Sequence, residues 1–178
     1  MIRYAITNGG APLDDIERWL DAGIQLIQIR EKHLSIRNLA ELTRAALALP
    51  NPHGSKILIN DRSDVAIACN AHGVHLRDGS IHPQLLRAIL PRHFFVAVSC
   101  HDMAGVEAAD SADYIVVSPV FRPLSKDDTR PTLGLDGLKR FVKSTDVPVL
   151  ALGGITQANA PDCIAAGAAG VAGIALFR

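Results

Sequence analysis

Ile24-Gln25-Leu26-Ile27-Gln28-Ile29-Arg30-Glu31-Lys32 runs apolar and then turns abruptly to charge. A short aliphatic run of this kind reads as a buried parallel strand that delivers polar groups at its C-terminal end. Ile57-Leu58-Ile59 ends the same way, in Asn60-Asp61-Arg62. In a barrel of alternating strands and helices, that end of each strand faces the site where chemistry is done. Cations and a carboxylate on neighbouring strand ends suit a phosphorylated substrate and a divalent metal.

Working outward, strand and helix signals alternate along the whole chain. Strands are expected at Arg3–Thr7, Leu26–Arg30, Lys56–Asn60, Gly73–Leu76, Phe94–Ser99, Tyr114–Ser118, Pro148–Leu152 and Gly170–Leu176. Helices are expected at Pro12–Asp21, Ser35–Leu49, Ser63–Cys69, Pro83–Leu90, Met103–Ala109, Leu135–Ser144 and Asn159–Ala166. Ser35 and Ser63 are candidate N-caps, and Pro50 and Pro52 stop the second helix. Asp21-Ala22-Gly23 and Ala165-Ala166-Gly167 each put glycine where a helix gives way to an apolar strand. Eight strands, the first seven each followed by a helix, take roughly 22 residues per step and predict a (β/α)8 TIM barrel of one domain, residues 1–178. The final helix is lacking, because Phe177-Arg178 directly follow strand eight. Another surface, such as a partner subunit, is expected to cover that seam, making a homo-oligomer one arrangement that would do so.

Lys plus Arg number 18 and Asp plus Glu 18, so with neutral histidines the net charge is zero and no global field favours nucleic acid or an anionic membrane. Hydrophobic residues make up 48% and aromatics only 4%, so Ala, Ile, Leu and Val must fill the core. Cys69, Cys100 and Cys163 are isolated, with no CxxC pair, which fits a reducing cytosol. The start, MIRYAITNGG, lacks the apolar stretch of a signal peptide, and no run is long enough to span a membrane. A cytoplasmic location is expected.

Alternation sends Gln28, Arg30 and Lys32 to one side of strand two. Arg30 can grip phosphate oxygens with its fork and Lys32 as a point charge; a rim charge pair with Glu31 is the plainer reading. Asn60 and Asp61 form an oxygen-rich strand end suited to Mg2+ and phosphate, although Asp61 could instead cap the next helix. His75 is a candidate acid or base, although a lone histidine near a strand end is more often a hydrogen-bonded packing residue. Asp78 is either a second metal ligand or a turn residue before Gly79. Ser99 can hydrogen-bond a phosphate, with Asp102 capping helix five; no GxSxG elbow accompanies it, which argues against serine hydrolysis. The polar loop from Phe121 to Thr132 reads as a ligand loop in which Ser125 and Lys126 hold phosphate. Gly153-Gly154 after strand seven lets backbone approach an anion, and Gly173-Ile174-Ala175 offers further backbone N–H groups.

Taken together, QIREK at 28–32, IND at 59–61, GVHL at 73–76, VS at 98–99, SPVF at 118–121, SK at 125–126, LGL at 133–135, LGGI at 152–155 and the GVAGIALF ending resemble the thiamine phosphate synthase family and its relative, the thiazole tautomerase family. The synthase joins a pyrimidine methyl diphosphate to a thiazole phosphate and releases pyrophosphate. The resemblance implies that Gln28, Ile29, Arg30, Glu31, Lys32 and Asn60 bind the pyrimidine diphosphate. It implies that Ser99 and Lys126 contact the diphosphate, with Arg30, Lys32 and Lys126 stabilising the departing charge. Pro123 to Ser125, Gly153, Gly154, Ile174 and Ala175 would cradle the thiazole phosphate. Asp61, with Asp78, would hold Mg2+ as the cofactor. Three positions depart from the synthase pattern: Ser80 stands where a second metal-binding Asp is usual, Pro123-Leu124-Ser125 replaces Thr-Pro-Thr, and Ala175 replaces a Ser. The tautomerase's catalytic His falls on Pro119, so an isomerase would need His75 or His101 as base. A tautomerase-like isomerase and a non-catalytic binding protein of the thiamine pathway are the alternative readings.

Overall fold

A computed structural model describes residues 1–122 and 130–177. The elements run β1 (Ile2–Ile6), α1 (Pro12–Asp21), β2 (Leu26–Ile29), α2 (Ile36–Ala48), β3 (Lys56–Asn60), α3 (Ser63–Ala68), β4 (Gly73–Leu76) and α4 (Pro83–Arg87). They continue with β5 (Phe95–Cys100), α5 (Met103–Glu107), β6 (Tyr114–Val117), α6 (Gly134–Lys143), β7 (Val149–Ala151), α7 (Ala160–Ala165) and β8 (Gly170–Gly173). The eight strands pair in parallel, in sequence order, and β8 closes on β1 through Tyr4 opposite Ala172 and Ala5 opposite Gly173. This is the expected TIM barrel.

Period-two alternation divides the aliphatic residues between two cores. Tyr4, Ile6, Leu26, Leu58, Ala97, Val116, Leu150 and Ala172 point into the barrel and pack together. Their strand neighbours Ala5, Ile27, Ile57, Ile59, Val74, Val96 and Ile115 point outward under the helices, where Ile16, Trp19 and Leu20 of α1 meet them. Small and branched side chains dominate the interior because eight strands leave room only for interlocking layers.

The helix ends follow local chemistry. Ser35 caps α2, accepting from Asn38 N at 3.2 Å, and Asp102 caps α5, accepting from Gly105 N at 2.8 Å. Ser63 does not cap α3: it is the first helical residue, and Arg62 occupies the cap position without a side-chain bond. Gly23, at φ +65°, ends α1 with paired bonds from Gly23 N to Leu20 O and from Ile24 N to Trp19 O, which turn the chain straight into β2.

Among the described residues no helix follows β8. Leu176 and Phe177 are instead half-buried against the outer core, and Trp19 Nε1 donates to Phe177 O at 2.9 Å. The segment after β8 is thereby fastened to α1. No helix among the described residues is long and apolar enough to cross a membrane.

Candidate functional site

Where the inward row of each strand reaches the C-terminal mouth, aliphatic residues give way to polar ones. Gln28 follows inward Leu26 on β2, Asn60 follows Leu58 on β3, and Ser99 follows Ala97 on β5; His75 occupies the same layer on β4. The registers set Asn60 opposite His75, and His75 opposite Ala97, two residues before Ser99. All four line one cavity of about 740 Å³ at this end of the barrel, a size suited to small phosphorylated molecules. Arg30, Lys32, Asp61, Asp78, His101, Gly153 and Ile174 line it too.

Arg30 is half-buried. Its backbone N–H donates to Thr7 Oγ1 at 2.9 Å, and its guanidinium reaches Asn8 Oδ1 at 3.3 Å. Burial lowers its pKa somewhat, with adjacent Glu31 opposing the shift, and an arginine so placed still stays charged. Lys32 is exposed at the rim. The Glu31 side chain is buried and both of its oxygens accept from Gly9 N, at 3.1 and 2.8 Å. Its carboxylate therefore fastens the β1–α1 loop beside the cavity. The Ile29 side chain is wholly buried in the outer core by strand alternation, so only its backbone can reach a ligand.

Asp61 adopts φ 55° just past β3, and both of its oxygens are engaged. Ser80 Oγ donates to Oδ1 at 2.7 Å, and Arg77 Nε pairs with Oδ2 at 2.7 Å. Asp61 does not cap α3. Arg62 also lines the cavity but is held by Asp64. Among the described residues no group of three or more His, Cys, Asp or Glu is placed to hold a metal ion. Mg2+ is commonly held by one or two carboxylates, with waters and substrate phosphates completing the shell. Asp61 and exposed Asp78 stand on the wall of one cavity, with Asp61 Oδ2 paired to Arg77.

The two candidate bases are already committed. His75 lies between Tyr4 Oη, 2.9 Å from Nδ1, and Ser99 Oγ, 2.7 Å from Nε2. Burial above all, and Arg30 next, push its pKa down to about 3, so it stays neutral. His101 Nδ1 lies 2.8 Å from Ser118 O, and Arg130 Nη1 lies within 2.8 Å of both ring nitrogens.

Gly153 reaches the cavity wall, whereas Gly154 and Ala175 do not. Gly154 packs behind it, its α-hydrogens against Arg122 O and Phe121, and Ala175 is exposed. Pro123, Leu124, Ser125 and Lys126 lie outside the described residues. Sequence reading missed Tyr4, Arg77 and Arg130. Arg77 carried a signal in the charged run His75-Leu76-Arg77-Asp78, directly after a strand. Tyr4 carried none, because it sits in an apolar strand and meets its partners only when the barrel closes.

Comparison with known proteins gives this geometry its context. A family model described as thiamine monophosphate synthase matches residues 3–177. The chain is 38% identical over 176 residues to a thiamine-phosphate synthase of Albidiferax ferrireducens, covering 95% of this chain and 80% of that protein. It is 41% identical over 152 residues to a thiamine-phosphate synthase of Methanoculleus marisnigri, covering 84% and 72%. The solved structure of a thiamine phosphate pyrophosphorylase from Pyrococcus furiosus superposes with a TM-score of 0.84 at 28% identity, covering 97% of this chain and 85% of the other.

Proposed function

The chain belongs to the thiamine monophosphate synthase family, and from that premise we propose that it joins a pyrimidine methyl diphosphate to a thiazole phosphate, giving thiamine phosphate and pyrophosphate. The observation that carries this reading is the polar layer Gln28, Asn60 and Ser99 at the barrel mouth, with Arg30 and Lys32 above it in one cavity. The neutral, hydrogen-bonding side chains of Gln28 and Asn60 suit the pyrimidine ring, and Ser99 with two cations at the rim suits its diphosphate.

Ionisation of the pyrimidine C–O bond places negative charge on the departing pyrophosphate, and the thiazole nitrogen then attacks the resulting carbocation. Arg30 and Lys32 stabilise the charge that develops on the leaving oxygens, an effect that grows where water is excluded. Lys126 is assigned the same task. Ser99 donates to the diphosphate, and Gly153 and Ile174 flank the thiazole phosphate. The nucleophile carries its own lone pair, so no general base is needed, in keeping with the committed states of His75 and His101. Asp61 and Asp78 would hold Mg2+, which when bound neutralises diphosphate charge.

The test is coupling by the purified protein, supplied with the pyrimidine diphosphate, the thiazole phosphate and Mg2+, with thiamine phosphate followed by mass spectrometry. Product is expected, and it should depend on Mg2+ and on Arg30. A folded protein that binds both substrates and yields no thiamine phosphate overturns the proposal.

A further inference from the structure

At the cavity wall, a string of hydrogen-bonded side chains links four strands. Gln28 Nε2 donates to Tyr4 Oη at 3.0 Å, Tyr4 Oη lies 2.9 Å from His75 Nδ1, and His75 Nε2 lies 2.7 Å from Ser99 Oγ. Tyr4 is wholly buried, and Gln28 and His75 are 2% and 3% exposed. Water does not compete for the two bonds at Tyr4 Oη, so the direction of each decides the next.

The amide Nε2 of Gln28 can only donate, so it takes a lone pair of the Tyr4 oxygen. The one Tyr4 proton then goes to His75 Nδ1, the remaining partner of that hydroxyl. A neutral imidazole that accepts at Nδ1 carries its proton on Nε2. His75 Nε2 therefore donates to Ser99 Oγ, and the Ser99 hydroxyl keeps its own proton for the cavity it lines. With the opposite polarity, Ser99 would spend that proton on His75 and turn a lone pair toward an anion.

We propose that Gln28, Tyr4 and His75 form a polarity relay that fixes Ser99 as a hydrogen-bond donor to the anionic end of the substrate. The inference rests on the reading of the cavity as a diphosphate site. His75 is a positioning residue, acting through Ser99 and leaving the phosphate to Ser99, Arg30 and Lys32. Its low basicity keeps the relay intact, because a doubly protonated ring could not accept from Tyr4.

The relay is tested first by the tautomer of His75 in 15N-labelled wild-type protein. Long-range 15N–1H correlation should show a protonated Nε2 and a bare Nδ1, with the signals assigned by their loss in His75→Gln. A protonated Nδ1 overturns the proposal without any variant having to fold. The second arm is calorimetric binding of inorganic pyrophosphate. Ser99→Ala should weaken it about 10-fold, as expected for a hydrogen bond to a charged group, and Ser99→Thr should retain it. Tyr4→Phe should weaken it comparably although Ser99 is intact, and the double variant should bind no worse than Ser99→Ala alone. Additive losses, or wild-type binding by Tyr4→Phe, overturn the relay. Wild-type binding by Ser99→Ala overturns the donor role of Ser99, while the coupling assay separately decides the synthase reading.

Discussion

Ser80 Oγ donates to Asp61 Oδ1 at 2.7 Å, a neutral hydroxyl facing a carboxylate across the loops after β3 and β4. The same carboxylate meets Arg77 Nε through Oδ2, but the Arg77 side chain is 74% exposed. An exposed pair of this kind is worth about 0–1 kcal/mol, so Arg77 is expected to offer little resistance to a divalent cation. Ser80 matters more, because an acid in its place would set two carboxylates side by side and leave charge that a dication relieves. Ser80→Asp is therefore expected to tighten Mn2+ binding about 10-fold or more, and Arg77→Ala only a few-fold. Electron paramagnetic resonance titration of free Mn2+ reads both. Equal affinity in wild type and Ser80→Asp would sink this account of the carboxylate pair.

Arg30 is the cation whose position the fold controls most closely. Its backbone is tied to Thr7 and its side chain is half-buried against the β1–α1 loop, which Glu31 holds through Gly9. A preorganised donor aimed at developing charge acts mainly in the transition state. Arg30→Ala is expected to lower kcat for coupling about 100-fold or more, and Arg30→Lys to recover only part of it, since a point charge lacks the fork. Steady-state kinetics check this. A change confined to KM would mean that Arg30 binds substrate and transition state equally.

Much of this architecture is legible in the sequence because buried parallel strands are written as aliphatic runs. Ile57-Leu58-Ile59 and Val96-Ala97-Val98 announce both the strand and, through alternation, which polar residue at its end faces inward. Gln28, Asn60 and Ser99 were readable for that reason. Strand ends were less so: β8 stops at Gly173 and the chain turns through Ile174 and Ala175, although the apolar spelling continues to Leu176. Pairings made across the closed barrel left no local mark. The Tyr4 hydroxyl finds Gln28 and His75, 24 and 71 residues away, and the Arg77–Asp61 pair depends on how two loops meet. Glu31 reads as a rim charge by position, yet its burial follows from the unpaired N–H of Gly9 that it satisfies.

Gly154 illustrates a site whose backbone is fixed by contact rather than by ligand. It sits at φ +61°, and a Cβ there would lie 2.4 Å from Arg122 O and 2.8 Å from Phe121 Cβ. The loops after β6 and β7 are joined here, with Phe121 N donating to Gly153 O at 2.9 Å. Gly154→Ala must strain its own backbone and part these loops. A loss of about 2 kcal/mol or more is expected from overpacking and the positive φ together. That corresponds to a Tm roughly 4–8 °C lower for a domain of this size, read by calorimetry. An unchanged Tm would show that the loops separate at no cost.

His75 also sets a pH dependence of stability. Its pKa falls from 6.5 to about 3 in the folded protein, first through burial, then through repulsion by Arg30, with Asp61 pulling weakly the other way. Unfolded, the ring takes up a proton near its ordinary pKa; folded, it resists until far lower pH. Between the two values the unfolded state binds more protons, so stability rises with pH across this window and falls as the solution is acidified from about 6.5 toward 3. The contribution is fully present above the upper value and is on the order of a few kcal/mol. His75→Gln, which cannot titrate, is expected to be less stable than wild type at neutral pH, because a buried hydrogen bond is lost, and to show a shallower acid loss. Urea unfolding at a series of pH values gives the slope, and equal slopes in the two proteins would place the acid sensitivity in other groups, the carboxylate Asp64 first among them.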